Sequence, residues 1–477
     1  MSSNRIHFVS LGCDKNLVDS EVMITNLWEK GYCFTDEEEA ADIIVINTCC
    51  FIHDAKMESI EAILRLAEHK KSGKCKALIV TGCLSERYRN ELRAEIPEVD
   101  AIVGVMATAD ICLAIENVLN NAKSADYFSE DGENREPVLN GKRIVTTGGH
   151  YAYLKIAEGC DKHCTYCIIP KIRGDYRSAA LEKVLTDAVN LVNGGVKELI
   201  LVAQETTLYG VDLYGRKMLP ELLKKLCEIE GLKWIRLLYC YPEEITDELI
   251  EVLRSEPKIC HYLDIPIQHG ADGILKRMGR KANRNNIVDL IKKLRREIPD
   301  ICLRTTLITG FPGESKTDHL ENLRLIEEMK FDRLGVFTYS AEEDTPAAMM
   351  PGQVREWTKK RRHKKLMEKQ QQIAFAIAAE MVGKRLEVMI EGNVADEDIG
   401  DEIDLPASTL IDDENGKVYV ARTYRDAPGI DGYLFVKSER ELLSGDFVEV
   451  LVTASYYYDL IGTRVEKSCD SCLHEKT

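Results

Sequence analysis

No stretch of the chain approaches the ~18–20 consecutive apolar residues that a membrane-spanning helix requires. Residues 1–12 end in a short strand-like run where a secretory signal would carry a longer apolar core. The expectation is a cytoplasmic protein with no membrane partner. Positive charge is also in deficit: 63 Lys and Arg face 80 Asp and Glu, a net −17 at pH 7. That disfavours a broad grip on nucleic acid, which depends on neutralising phosphates. It suits a basic partner, or simply a solvated acidic surface. Without an export signal, the 16 cysteines point to metal ligation over disulfides. At 477 residues, 45% hydrophobic and 30% charged, the chain should form two to four globular domains.

Three of the cysteines share one loop. Gly159-Cys160-Asp161-Lys162-His163-Cys164-Thr165-Tyr166-Cys167 has C-x3-C-x2-C spacing and follows a strand-like run, 151–157. Thiolates are preferred ligands of iron–sulfur clusters, and three of them on a four-iron cube leave one iron open to a small molecule. A zinc knuckle is the alternative, but it needs a fourth Cys or His at suitable spacing, and His163 lies inside the loop. The motif resembles that of the radical S-adenosylmethionine (SAM) superfamily. The resemblance implies a 4Fe-4S cluster on Cys160, Cys164 and Cys167 that binds SAM and cleaves it to a 5′-deoxyadenosyl radical.

Residues 1–125 alternate strand and helix patterns: strands at 5–11, 42–47 and 76–81, helices at 15–30, 53–72 and 85–93. Such alternation predicts a parallel sheet with its chemistry outside the strands' carboxyl ends. Each strand runs into a cysteine, Cys13, Cys49 or Cys83, so three distant ligands can converge. Cys50 is an alternative to Cys49, and Cys33, Cys75 and Cys112 read as packing residues. Leu11-Gly12-Cys13-Asp14-Lys15-Asn16, Asn47-Thr48-Cys49 and Thr81-Gly82-Cys83 resemble the amino-terminal domain of the methylthiotransferases. There the three cysteines hold an auxiliary 4Fe-4S cluster that carries the transferred sulfur.

After a polar linker, 126–147, six further strand–helix units span 148–352, with strands near 151–157, 197–203, 233–239, 262–266, 301–308 and 332–338. They predict a partial (βα)6 barrel with its site at the strand C-termini, although periodicity alone also allows an open doubly wound sheet. Gln204, Gln268 and Arg304 lie in polar runs at these strand ends that resemble the family's SAM-binding set. The family's usual Arg-Ser-Arg reads Arg177-Ser178-Ala179 here. His269 reads equally as a base or as a structural hydrogen-bonded residue and stays unassigned.

Residues 353–382 predict a connecting helix whose basic run, 359–365, is either a solvated face or a nucleic-acid contact. From 383 to 466 the period changes to two, and five short strands predict a small antiparallel β-barrel. It resembles the TRAM module that closes methylthiotransferases. From 384 to 466 there are eight Lys and Arg against nineteen Asp and Glu, leaving −11, which opposes RNA binding and favours a basic protein. Asp426-Ala427-Pro428-Gly429-Ile430-Asp431 resembles a run of the RimO-type, ribosomal-protein branch, with Gly429 in place of the usual Glu. Cys469 and Cys472 sit in a tail, 467–477, that reads as solvated.

The resemblance covers roughly 5–465. It implies a methylthiotransferase with two 4Fe-4S clusters and SAM, modifying the β-carbon of an aspartate in a basic small-subunit ribosomal protein. It also implies a reduced flavodoxin- or ferredoxin-like electron donor. The rival substrate is N6-substituted adenosine in transfer RNA, and a non-catalytic iron–sulfur or RNA-binding scaffold is the rival of another class.

Overall fold

The structure is a computed structural model that describes residues 4–71, 73–120, 126–128, 142–394 and 417–465. Cys469 and Cys472 lie outside the described residues. The first layer runs β1 (Arg5–Ser10), α1 (Asp14–Glu29), β2 (Cys33–Phe34), β3 (Ile43–Thr48), α2 (His53–Lys71), β4 (Ala77–Gly82), α3 (Cys83–Arg87), α4 (Arg89–Glu95), β5 (Ala101–Val103), α5 (Ile111–Leu119) and β6 (Asp126–Tyr127). The strands pair in parallel in the order β2-β1-β3-β4-β5-β6.

Every residue of β3 and β4 is buried, as expected of a parallel strand covered on both faces. Alternate residues serve two cores. Ile43, Val45 and Ile79 pack with Met23 of α1 and Ile111 of α5, whereas Ile44, Ile46 and Val80 pack with Ile63 and Leu66 of α2. The strand order reverses between β1 and β3, which opens a crevice outside their carboxyl ends. The extra strands β2, β5 and β6 are two or three residues long, too short to leave a periodic signal. The helix expected over 85–93 is broken at Tyr88 (φ −121°, ψ 37°), whose hydroxyl donates to Glu343 at 3.1 Å.

The second layer comprises β7 (Tyr151–Lys155), a two-residue ribbon of β8 (Ala157–Glu158) and β9 (Arg177–Ser178), and α6 (Ile169–Arg173) between them. There follow α7 (Leu181–Asn193), β10 (Glu198–Val202), α8 (Val211–Tyr214), α9 (Leu219–Cys227), β11 (Trp234–Leu237), α10 (Asp247–Ser255), β12 (Ile259–Asp264), α11 (Asp272–Arg277), α12 (Arg284–Glu297), β13 (Cys302–Thr309), α13 (Lys316–Met329) and β14 (Arg333–Thr338). The six main strands are parallel and pair strictly in chain order, from β7 through β10 to β14. A doubly wound sheet would reverse its order part-way; this one does not, so it is the arc of a partial barrel. β12 begins three residues before the expected 262, and ends before Pro266, which has no N–H to extend it.

A long helix, α14 (Glu356–Ala379), leads to β15 (Arg385–Asn393), β16 (Lys417–Thr423), β17 (Leu434–Ser438), β18 (Phe447–Tyr456) and β19 (Asp459–Arg464). These close into a barrel in the order β15-β16-β17-β19-β18. The expected antiparallel pairing holds except between β17 and β19, which run parallel.

The closing barrel docks on the amino ends of the parallel strands. Phe447 meets Trp234, the first residue of β11, edge to face at 4.8 Å. Glu198, the first residue of β10, is buried between Arg236 and Arg422, each at 2.7 Å. Arg333 bonds Asp426 at 2.5 Å. Burial alone would raise the Glu198 carboxyl, but the two guanidiniums reverse this and hold it below its usual range. Its contribution to stability is therefore present above about pH 4.3 and is lost as pH falls through the lower, folded value. Glu198→Gln should cost about 3–5 kcal/mol in chemical denaturation at neutral pH, the usual result of stripping a partner from a buried ion pair.

Candidate functional site

The carboxyl ends of β1, β3 and β4 each deliver a cysteine to the crevice. Cys13 caps the start of α1. Cys49 is pinned through its backbone by Ser59, whose hydroxyl accepts the Cys49 N–H at 2.9 Å and donates to its carbonyl at 2.8 Å. Cys83 is the first residue of α3. Gly12 (φ +94°) brings the first turn so close that an added Cβ would stand 3.0 Å from the Cys49 sulfur. Cys50 is fully buried beside Cys83. Its thiol bonds the Cys83 carbonyl at 3.1 Å within the apolar core beneath the sheet. Cys75 and Cys112 are buried packing residues as expected, whereas Cys33 is exposed.

The loop after β7 and β8 is equally constrained. Gly159 (φ +79°) lies so near the returning chain that a Cβ would stand 2.0 Å from the Asp175 carbonyl oxygen. Cys160 N–H donates to the Gly174 carbonyl at 3.1 Å, and Cys167 N–H to the Cys164 carbonyl at 3.0 Å. The Cys164 sulfur lies 3.7 Å from the Tyr241 hydroxyl. Burial pushes the Cys49 and Cys83 thiols up, Cys160 to about 11 and Cys167 to about 12. Such thiols ionise when a metal takes the sulfur, releasing protons.

Between the two triads lies a buried ionic network. The Lys155 ammonium pairs with Asp19 of α1 and with Glu158. The Arg173 guanidinium reaches Glu158 at 2.9 Å, Asp19 at 3.2 Å, Asn16 at 2.6 Å and the Cys83 sulfur at 3.6 Å. A second bridge runs beside it: Lys15 sits 3.2 Å over the Tyr239 ring, and the Tyr239 hydroxyl donates to Asp14 at 3.0 Å. Tyr239 and Tyr241 thus connect the neighbours of Cys13 with Cys164.

Three families match along the chain: the one described as uncharacterized protein family UPF0004 over residues 5–104, the radical SAM superfamily over 154–326, and the TRAM domain over 405–465. A protein of Lachnoclostridium phytofermentans named ribosomal protein uS12 methylthiotransferase RimO is 59% identical, over 96% of this chain and 99% of its own. A protein of the same name from Clostridium botulinum is 46% identical, over 98% of this chain and 100% of its own. The chain belongs to the RimO family of radical SAM methylthiotransferases. Among solved structures, the radical SAM methyltransferase TsrM from Kitasatospora setae shares the fold, with a TM-score of 0.52 at 14% identity, over 83% of this chain and 79% of that one.

As a family member the chain has an iron–sulfur cluster and SAM to accommodate, and its residues fit both. The six cysteines are free thiols. Among the described residues, no three His, Cys, Asp or Glu side chains converge as ligands of a single metal ion. Gln204 Oε1, Glu205 Oε2, Gln268 Oε1 and the Tyr176 hydroxyl are all buried without a hydrogen-bond partner. Each such group costs about 1–3 kcal/mol until a polar ligand meets it, as SAM would.

Gln204 donates to Glu158 at 2.7 Å, which ties it to the network. Gln268 (φ +72°) and Tyr239 (φ +59°) hold left-handed backbone, a strain that clusters at functional sites. Glu205, raised to about 7 by burial against the opposing pull of Thr207 and Lys162, lies 3.9 Å from the loop's Lys162. Arg304 points elsewhere. It pairs with Asp264 at 2.9 Å and approaches Asp431 of the closing barrel at 3.7 Å, in a cleft of about 380 Å³. His269 is fully buried and accepts the Ala271 N–H at 3.0 Å.

Asp19 and Arg173 fall in runs that resemble the family's, Leu11–Glu21 and Ile168–Gly174, but sequence reasoning gave neither a role and passed over Lys155 and Glu158. The signal available was two acids and two bases in segments otherwise expected to be buried. Gly159→Ala should cost about 3 kcal/mol or more in thermal melts, because overpacking and a left-handed backbone add. Gly149→Ala, where a Cβ meets nothing within 4 Å, carries only the backbone cost and should melt much closer to the parent.

Proposed function

We propose that this chain adds a methylthio group to the β-carbon of an aspartate in small-subunit ribosomal protein uS12. It would use SAM and two 4Fe-4S clusters, one on Cys160, Cys164 and Cys167 and one on Cys13, Cys49 and Cys83. The observation that supports the reading is the Arg173 side chain, which follows the Cys160–Cys167 loop and reaches both Glu158 before that loop and the Cys83 sulfur at the end of β4. The near-full-length likeness to proteins named RimO supports the substrate. When bound, the loop cluster supplies the electron that cleaves SAM, and the auxiliary cluster supplies the sulfur.

The chain's own contribution is positioning and exclusion of water. The closing barrel plugs the amino ends of the parallel strands, so substrate enters from the carboxyl ends, where both triads lie. Gln204, Gln268 and Glu205 hold the polar groups of SAM, and Tyr239 and Tyr241 wall the space between the triads. A dry enclosure of this kind protects a carbon radical from stray hydrogen donors. In this reading residues 1–125 carry the sulfur and 148–352 the radical chemistry. The segment 353–382 connects them to a substrate-docking module at 383–466. A reduced flavodoxin- or ferredoxin-like protein in the cytoplasm is the electron donor.

Mass spectrometry tests the reading. Reconstituted enzyme is incubated anaerobically with SAM, sulfide and a reductant, with either a uS12 loop peptide or a transfer-RNA pool. A methylthio gain on the peptide aspartate is expected; a gain confined to transfer-RNA adenosine would overturn the substrate. Cys83→Ala should lower iron from about eight to about four atoms per chain and keep SAM cleavage while abolishing product. Cys160→Ala should abolish both activities.

A further inference from the structure

Arg173 divides its bonds unevenly. One terminal nitrogen, Nη1, serves both carboxylates of the network, Glu158 and Asp19. The other, Nη2, reaches neither; among the described residues it bonds only Asn16 Oδ1 and the Cys83 sulfur. Lys155 already pairs with both Asp19 and Glu158, so two cations balance two anions without any help from sulfur. Lys155 takes the other oxygen of each carboxylate, Asp19 Oδ1 and Glu158 Oε2, so Nη2 is left to face Asn16 and the Cys83 sulfur.

The side chain is also rigidly placed, with only 1% of its surface exposed. Arg173 ends α6, which starts two residues after Cys167, and the next residue, Gly174 (φ +71°), accepts the Cys160 N–H. The Arg173 carbonyl in turn accepts from Arg177 at 3.0 Å. One side chain, fixed to the loop that carries the first triad, thus holds a sulfur of the second.

We propose that Arg173 is a positioning residue for the auxiliary cluster. Its N–H···S bond orients Cys83 and raises the reduction potential of the cluster that Cys83 ligates. The inference rests on Cys83 being a ligand, as proposed above. Its physical basis is that hydrogen bonds to cluster sulfurs set the potential, and a cation beside the thiolate favours the more negative, reduced form. Lysine would keep the charge but lose the planar fork. Arg173→Lys should therefore lower the auxiliary potential, and Arg173→Gln, which also removes the charge, should lower it further.

The test is an EPR-monitored redox titration of the reconstituted holoenzyme, with iron content measured for each variant. The expected result is a downward shift of the auxiliary couple, graded from parent through Arg173→Lys to Arg173→Gln, with the loop cluster unmoved. Unchanged auxiliary potentials, or equal shifts of both clusters, would overturn the proposal. If Arg173→Gln fails to fold or to load both clusters, Arg173→Lys decides alone by the same criterion. Cys83→Ala separates the two layers of inference: retention of both clusters in that variant would overturn the ligand assignment, whatever Arg173 does.

Discussion

Lys155, Glu158, Arg173 and Asp19 bury four charges between two domains. Removing ions from water is costly, and even well-paired buried networks seldom add net stability. What such a network can supply is register. Asp19 belongs to the helix that follows Cys13, whereas Glu158 and Arg173 flank the radical loop, so satisfying all four charges allows one placement of one triad relative to the other. The Lys15–Tyr239 and Asp14–Tyr239 contacts impose the same register through the first turn of that helix.

The closing barrel obeys a similar constraint at the opposite end of the parallel strands. Arg422 and Arg236 are buried, and Arg333 half-buried, against Glu198, Asp426 and backbone carbonyls. Acids of the module are therefore partly committed internally. Nine of its nineteen acids fall within 395–416, and the rest are nearly matched by its eight bases. The charge argument for a basic partner thus concerns that one segment more than the barrel as a whole.

Much of this architecture was legible because it is periodic or local. The continuous apolar runs at 43–46 and 77–80 announce buried parallel strands, and Cys160, Cys164 and Cys167 announce their loop by spacing alone. Cys49 is preferred to Cys50 because it continues the Asn47-Thr48-Cys49 pattern, but the Ser59 bonds that pin its backbone leave no mark in that pattern. The Lys155–Asp19 pair joins residues 136 positions apart and leaves no trace in any local pattern. Arg304 reads as a strand-end ligand for SAM, but its position near the start of β13 lets it reach Asp431, a contact no one-dimensional reading contains.

The most direct test of the account is whether the two clusters share one enclosure. In dithionite-reduced holoenzyme, each cluster's EPR signal should be broadened and relaxed faster by the other, and Cys83→Ala should restore the isolated signal of the loop cluster. A holoenzyme spectrum equal to the sum of two non-interacting clusters would contradict the facing arrangement from which the function is derived.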